Sequence, residues 1–506
     1  MMYRDQHNAI VYSPSDLIRF MESPFASWME RLRLEHRELA VRDQPSEESE
    51  LIAKTGGLHE AAYLKTLKES GRDVCEIPRG DDASARTRKA MAAHREVIFQ
   101  GYLTTGPFAG YTDFLVLGDG GLYQVWDAKL ARKVKPYFLV QLCCFAEMLG
   151  DVQGARPENV CVVLGDNDTR KFRTNDYYYY YSEVKKAFLA QMESFSAEAD
   201  PPVPDPRADH GLWQSHADDW LQEHDHLVQV AGISIGQIGK LNAAGIQTLK
   251  QLAETDAHRI PKLNDERFRK LTNQARVQLA TRVRQLETTG GEATVPGWEP
   301  LPPIPSNQRS GLATLPPGSL GDVYFDIEGY PLFDQGLEYL LGAVVTEAAE
   351  PEFHDWWAHD HKQEKASFEA FIDWVYARWL NDPSMHVYHY APYEVTAMRR
   401  LSGKYATRED EVDTFLRNNV FVDLYRIVRQ SLLIGGSNYS LKTVEQLYPG
   451  QRSGDVKTAA ASMVYYAQWI ESQEPEDWQS SSLLREIRDY NEVDCVSTWQ
   501  LAKWLR

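Results

Sequence analysis

The spacing of apolar residues changes along the chain, and the change predicts which segments are helices and which are strands. Apolar residues return every three or four positions in segments 13–36 and 51–68, a spacing that is typical of amphipathic helices. Residues 109–141 are predicted to form a strand, a turn and a second strand, and then an apolar helix. A further strand at 159–164 and a final helix complete an order of outer helices around central strands, which favours an α/β sandwich.

Three polar side chains lie close together in the predicted strand pair. Asp113 falls on the first strand, and Asp127 and Lys129 fall on the second. Because side chains alternate between the two faces of a strand, Asp127 and Lys129 point the same way. Two carboxylates beside one lysine suit a hard cation and an ammonium group that orients water. The alternative is a salt-bridged surface hairpin followed by a core helix.

This arrangement resembles the PD-(D/E)XK nucleases, in the branch of RecB and the CRISPR-associated RecB-like exonucleases. Asp113 matches the lone motif aspartate, and Asp127 with Lys129 matches the (D/E)XK step. Gln141 opens the helical QxxxY motif, although a phenylalanine occupies its tyrosine position, and His59 matches the early histidine. The resemblance implies a restriction-endonuclease-like fold in which His59, Asp113 and Asp127 bind Mg²⁺ or Mn²⁺. Lys129 would then activate water, and Gln141 would position the site or the strand.

A second set of acids follows residue 320. Asp326 and Glu328 are two residues apart in an apolar strand, so both project from one face. Buried there, they are unfavourable unless a cation or protons neutralise them. Glu394 is predicted in the first turn of a helix, and Asp423 at a junction between a strand and a helix.

Tyr490 and Asp494 are four residues apart in a C-terminal helical segment and therefore share one face. The order of DxE, a middle acid and YxxxD resembles the DEDD 3′→5′ exonucleases of the DnaQ-like, ribonuclease H-like fold. That family has an aspartate as its middle acid, where this chain offers Glu394 first and Asp423 second. The resemblance implies four acids that hold two divalent ions, with Tyr490 orienting water. The four acids are Asp326, Glu328, Glu394 and Asp494. The alternative is a ribonuclease H-like domain whose acids are inert.

Segment 228–286 is predicted to be helical and is locally basic. Its first part resembles a helix-hairpin-helix unit, in which glycines and helix N-termini let a backbone approach phosphate. The candidate nucleic-acid-binding residues are Lys240, Lys250, Arg267, Arg269 and Lys270. The alternative is a small helical spacer whose charges are merely solvated.

Composition narrows the class of protein. A chain of 506 residues exceeds what one core supports and favours about three domains. The net charge of −19 argues against indiscriminate coating of nucleic acid, but it allows a local basic groove. Five cysteines without a ligand spacing fit a reducing cytoplasm, and no iron–sulfur cluster is expected. The sequence contains no bilayer-length apolar run and no secretory signal, so no membrane association is expected.

The order of the predicted parts is itself informative. We predict a PD-(D/E)XK nuclease domain at 1–200, a helical segment at 210–287, a Pro/Gly-rich linker at 288–319 and a ribonuclease H-like DEDD domain at 320–506. This order is similar to a bacterial family of RecB-like nucleases, some of which continue into a superfamily 1 helicase. The sequence has no GxxxxGK[ST] loop, so no ATP site is expected and a helicase would be a separate partner.

The sequence therefore predicts a two-site, metal-dependent exonuclease that hydrolyses phosphodiester bonds in DNA. Its substrate would be single strands or duplex ends, in repair, recombination or phage defence. The alternative is a nucleic-acid-binding scaffold in which one or both sites are inactive.

Overall fold

The computed structural model describes residues 2–287, 295–301, 310–348, 350–448, 459–472 and 474–506. The chain forms two compact units, Met1–Trp220 and Leu221–Arg506. Among the described residues, no helix is both long enough and apolar enough to cross a membrane.

The first unit is built around a six-stranded mixed sheet. The strands of the whole unit are β1 (Tyr3–Arg4), β2 (Ile10–Val11), β3 (Val74–Glu76), β4 (Val97–Phe99), β5 (Tyr102–Thr105), β6 (Phe108–Tyr111), β7 (Phe114–Leu117), β8 (Tyr123–Ala128), β9 (Asn159–Val163) and β10 (Thr169–Arg173). β1 pairs with β2 and β5 pairs with β6 in two small sheets outside the main one. Its helices are α1 (Pro14–Glu22), α2 (Pro24–Glu35), α3 (Glu47–Glu69), α4 (Ala83–Ala92), α5 (Pro136–Gln153), α6 (Thr174–Glu193) and α7 (Gln214–Glu223), the last of which crosses the boundary between the units. The sheet order is β10-β9-β8-β7-β4-β3, with β8–β9 and β3–β4 parallel and the other neighbours antiparallel.

Helix ends in this unit follow from local chemistry. Ser13 caps α1, and its backbone N–H donates to Asp16 Oδ2 at 2.7 Å. The predicted opening helix is in fact two helices, because Pro24 lacks the N–H that would continue α1. Ser23 starts α2 by accepting a hydrogen bond of 2.9 Å from the Ala26 N–H.

The second unit contains a five-stranded sheet. The strands described in this unit are β11 (Trp298–Pro300), β12 (Val323–Tyr330), β13 (Leu337–Val345), β14 (Glu352–Trp357), β15 (Val387–His389), β16 (Phe421–Asp423) and β17 (Leu432–Ile434). Its helices are α8 (Ile235–Ala243), α9 (Leu249–Glu254), α10 (Asp265–Glu287), α11 (His361–Asn381), α12 (Tyr393–Tyr405), α13 (Glu409–Arg417), α14 (Leu424–Ser431), α15 (Leu441–Val444), α16 (Ala459–Glu471) and α17 (Ser482–Leu505). The main sheet order is β14-β13-β12-β15-β16; β12, β13 and β14 are antiparallel, whereas β15 and β16 run parallel to β12.

Alternation along β12 assigns its two faces. Phe325 lies in the core that α11 covers and stacks on Phe371, with ring centroids 4.3 Å apart. Tyr324 faces the opposite way and shares a second core with Cys495 and Leu501 of α17. The acids at even positions of β12 therefore lie on the side of the sheet that α17 covers.

Most of the helical segment, residues 221–287, belongs to the same compact unit as this sheet. β11 pairs antiparallel with β17, and Gln274 of α10 bonds the same strand. Gln274 Nε2 donates to the Ile434 carbonyl at 2.6 Å, and the Ile434 N–H donates to Gln274 Oε1 at 3.2 Å. Residues 298–300 thus form a strand where the sequence predicted an aperiodic linker, because their partner lies far along the chain and leaves no local pattern. Linker residues 288–294 and 302–309 lie outside the described residues.

Candidate active sites

The most complete candidate site lies on the face of β12 that α17 covers. Asp326 and Glu328 alternate with apolar neighbours, so the strand sends both carboxylates to one side. Asp494 of α17 reaches the same place, and one ligand oxygen from each of the three acids lies within 4.8 Å of the others. Within the part of the chain that the structure describes, no other group of three or more His, Cys, Asp or Glu side chains meets so closely.

Close approach of α17 depends on a glycine in the neighbouring strand. Gly342 pairs with Asp326 across β12 and β13, and a Cβ atom there would overlap the carboxamide of Asn491. Asn491 is fully buried, and its Nδ2 donates a hydrogen bond of 2.8 Å to Asp326 Oδ2. Sequence reasoning missed both residues; the one available signal was that Asn491 follows Tyr490 in the YxxxD motif.

Glu394 approaches this group from the first turn of α12, where the sequence placed it. Its side chain is buried, and its charge raises the pKa of Asp326, so it borders the three acids. Oε2 of Glu394 lies 3.4 Å from Nδ1 of His389, which also donates to the Ala391 carbonyl at 2.6 Å. The buried His389 is a further residue that sequence reasoning missed. We call Asp326, Glu328, Glu394 and Asp494 the acid cluster.

Asp423, the second candidate for the middle acid, has a different role. It ends β16 and caps α14, where its Oδ1 accepts the N–H groups of Arg426 at 3.3 Å and Ala391 at 3.1 Å. Its charge nevertheless raises the pKa of Glu394, so it lies near the acid cluster. The geometry favours Glu394 as the middle acid and Asp423 as a helix cap beside it.

Burial and mutual repulsion dominate the electrostatics of the acid cluster. Burial raises the pKa of Asp326 well above its usual range, and Asp494, Glu328 and Glu394 raise it further. Burial and then the Asp494 carboxylate raise the pKa of Glu328 to about 8. Such a group holds protons or cations, and its all-oxygen donor set fits Mg²⁺ or Mn²⁺.

Tyr490 stands at the edge of the acid cluster. It is buried, and its side chain hydrogen-bonds to Asp494 one helical turn away. Burial, followed by the charges of Asp494, Glu328 and Asp326, raises the pKa of the Tyr490 phenol. The hydroxyl therefore stays protonated and is a hydrogen-bond donor.

The sheet order, the placement of the acids and one sequence comparison all indicate the same fold for the C-terminal part of the chain. Residues 323–506 match the family model described as RNase_H superfamily. The C-terminal domain is ribonuclease H-like. The predicted fold of this part of the chain is therefore confirmed, and the ribonuclease H-like domain carries an acidic triad of the kind that divalent-metal nucleases use. Comparisons with curated proteins and with solved structures gave no match.

The other candidate site forms where β7 and β8 pair. Their antiparallel register brings Asp113 opposite Asp127, and Asp113 Oδ2 accepts the Ala128 N–H at 2.8 Å. Asp113 immediately precedes β7 rather than lying on it as the sequence predicted, and its side chain accepts a backbone N–H from the end of β8. Lys129 follows β8 directly, and its Nζ lies 2.7 Å from Asp127 Oδ2. Lys129 also donates a hydrogen bond of 3.0 Å to Oε1 of Gln141 in α5.

Burial and the Asp127 carboxylate raise the pKa of Asp113, and Lys129 opposes that shift. Burial by itself lowers the pKa of Lys129, but the carboxylates of Asp127 and Asp113 outweigh burial and raise it. The ammonium group therefore stays charged and neutralises part of the local negative charge.

His59 is less closely joined to this site than the sequence predicted. Its Nε2 is buried and has no hydrogen-bond partner among the described residues. Its neighbour Glu60, which sequence reasoning missed, is the α3 residue whose charge raises the pKa of Asp113. In the described structure, His59, Asp113 and Asp127 do not form a group with ligand atoms within 4.8 Å. The family match begins at residue 323, so the PD-(D/E)XK assignment stays a prediction.

The predicted nucleic-acid-binding cations are distributed over α8, α9 and α10. Lys240 lies in the last turn of α8, while Lys250 is exposed, with its Nζ 4.0 Å from Glu254 Oε1. Arg267 and Arg269 are exposed on α10. Lys270 is half-buried.

Proposed function

We propose that the protein is a metal-dependent nuclease that hydrolyses phosphodiester bonds in DNA, with the acid cluster as its principal active site. The observation that carries the proposal is the meeting of Asp326, Glu328 and Asp494 within 4.8 Å in a ribonuclease H-like domain. Glu394 beside them supplies a fourth carboxylate. We further propose exonuclease action, on the strength of the DxE and YxxxD motifs.

The four carboxylates of the acid cluster would hold Mg²⁺ or Mn²⁺. Bound divalent ions supply Lewis acidity, which eases ionisation of water and offsets negative charge on the phosphate oxygens. Asn491 donates a hydrogen bond of 2.8 Å to one oxygen of Asp326 and so fixes the orientation of this carboxylate, which would help to hold the ion. The protonated Tyr490 positions Asp494 and presents a donor at the edge of the acid cluster.

The N-terminal site is the second nuclease candidate. The juxtaposition of Asp113 with Asp127 and the position of Lys129 support PD-(D/E)XK chemistry, in which Lys129 would orient the attacking water. The alternative, a nucleic-acid-binding scaffold with an inactive site, is better supported here than at the acid cluster. The Lys129 ammonium already pairs with Asp127 and donates a hydrogen bond to Gln141.

A nuclease assay with site-specific variants tests the proposal. Wild-type protein is incubated with end-labelled single-stranded and duplex DNA in Mn²⁺, and products are resolved on denaturing gels. Asp326→Asn should slow cleavage roughly 10²- to 10³-fold, because it removes a carboxylate that would hold the divalent ion, and that ion offsets the negative charge of the transition state. Glu352→Gln, at an exposed acid on β14 of the same sheet, is the matched control and should cleave like wild type.

Binding of Mn²⁺, measured by calorimetry, separates loss of the metal from loss of chemistry. Asp326→Asn should weaken Mn²⁺ binding relative to both wild type and Glu352→Gln. If Asp326→Asn cleaves at the wild-type rate while Lys129→Ala does not cleave, the acid cluster is not the active site and the N-terminal site is.

A further inference from the structure

A cleft of about 440 Å³ lies within the second unit, between the helical segment and the ribonuclease H-like domain. Its size is within the range of ligand-binding clefts in proteins. Four cationic side chains line it, two from α10 and two from α14. They are Arg267, Lys270, Arg426 and Arg429. Neither residue from α14 was recognised in the sequence, because α14 is far from the basic segment along the chain.

Two acids lie near these four cations: Asp423 lines the same cleft, and the charge of Glu266 opposes the lowering of the pKa of Lys270. Among the described residues, none of the four forms an ion pair with a carboxylate. The Lys270 ammonium donates to the Arg429 carbonyl at 2.6 Å, and Arg429 Nη1 lies 3.2 Å from the Tyr425 hydroxyl. Burial and the charges of Arg267 and Arg429 lower the pKa of Lys270 to about 8. The positive charges of Arg267, Lys270 and Arg429 therefore repel one another, and a bound anion would offset this repulsion.

The cleft adjoins the acid cluster. Its wall includes Pro392, which caps the helix that carries Glu394 in its first turn. It also includes Asp423, whose charge raises the pKa of Glu394. Pro392 and Asp423 thus join the wall of the cleft to the helical turn that carries Glu394.

We propose that this cleft holds phosphodiester groups of the same nucleic-acid strand whose scissile phosphate reaches the acid cluster. The proposal rests on the proposed nuclease function and names the contact that would fix the strand. The lining has four cations, three aliphatic residues (Ala231, Leu271 and Pro392) and two tyrosines, Tyr425 and Tyr439. The cluster of cations suits the charged backbone, which is common to all sequences. Recognition here would be independent of sequence.

Binding of a fluorescent single-stranded 20-mer, followed by anisotropy in EDTA, tests the cleft without cleavage. The double variant Arg426→Ala/Arg429→Ala should raise Kd at least tenfold. It should also flatten the slope of log Kd against log salt by about 1.4, since each single-strand phosphate contact contributes about 0.7. Arg426→Ala alone guards against misfolding, because this side chain is exposed, and it should give about half of that change in slope.

The matched control removes two cations elsewhere in the same unit. Lys365→Ala/Arg417→Ala changes the net charge equally, and both side chains are exposed outside the cleft. The control should keep the wild-type Kd and salt slope. Equal Kd values and slopes for the cleft variant and the control would overturn the proposal.

A second arm distinguishes a strand phosphate from a free one. Inorganic phosphate and dAMP are titrated by calorimetry at constant ionic strength, and both should bind in the millimolar range. Micromolar binding of dAMP that is lost in Arg426→Ala, with DNA binding unchanged, would make the cleft a site for free nucleotides and overturn the proposal. If DNA binds through the cleft but no metal ion supports cleavage, the nuclease function fails while the cleft assignment stands.

Discussion

The acid cluster should make the metal-free protein less stable as pH rises. Burial and Asp494 raise the pKa of Glu328 from 4.5 to about 8. Between these values the folded protein holds a proton that the unfolded chain has released, so stability is highest at low pH and falls as pH rises through the window. For this one group, the change from pH 5 to pH 8 lowers the free energy of unfolding by roughly 3 to 4 kcal/mol, at 1.36 kcal/mol per pKa unit.

Glu328→Gln tests this reasoning because it keeps the size of the side chain and removes its proton exchange. Urea denaturation followed by tryptophan fluorescence, in EDTA at pH 5 and pH 8, gives the free energy of unfolding at each pH. The variant should lose the part of the pH dependence that Glu328 contributes, while the part due to Asp326 remains, and it should be more stable than wild type at pH 8. Glu352→Gln, at an exposed site on the same sheet, should retain the wild-type pH dependence.

Metal ions provide the complementary measurement. At a hundredfold excess over its Kd, a ligand stabilises the folded state by roughly 3 kcal/mol. Mn²⁺ should therefore restore much of the stability that wild type loses at pH 8, and do little for Glu328→Gln. The same pH dependence in wild type and Glu328→Gln would refute the assignment of a shared, repulsive acid cluster.

Three further changes test other parts of the structure. Adding Lys129→Ala to Asp326→Asn should slow cleavage further, because we propose that this ammonium orients water at the N-terminal site; an unchanged rate in the double variant, followed on labelled DNA, would exclude that site. Raising pH from 7 to 9 should weaken DNA binding measured by anisotropy, since Lys270, which faces Arg267, Arg429 and Glu266, loses its charge near pH 8, and Lys270→Arg should remove this dependence. Gly342→Ala should lower the free energy of unfolding by about 1–3 kcal/mol through overpacking against Asn491, and an unchanged urea midpoint would contradict the close packing of α17.

Residue spacing predicted correctly which side chains share a face when they lie on the same strand or helix. Asp326 and Glu328 on one strand face, and Tyr490 and Asp494 on one helical turn, followed from the periods of strand and helix. Residues that meet across elements left no such signal. Asn491 reaches Asp326 only because Gly342 lacks a side chain, which is a property of two segments that are distant in sequence.

The same limit explains the differences elsewhere. Asp113 was placed on a strand, but its side chain binds a backbone N–H at the strand end, an interaction that alternation cannot reveal. The role of Glu60 beside Asp113 depends on how α3 packs, and its neighbour His59 fitted the family motif better. Arg426 and Arg429 line a cleft only because α14 lies beside α10, a contact between segments that are distant in sequence.

The pairing of β11 with β17 has a consequence for the order in which the molecule is assembled. Strand β11 emerges from the ribosome well before β17, with most of the main sheet synthesised between them. Contacts between such distant segments form late, because the intervening loop must close first. Both walls of the cleft depend on that closure, since α10 bonds β17 through Gln274 and α14 leads directly into it. A nascent chain would therefore complete its main sheet before the two walls of the cleft come together.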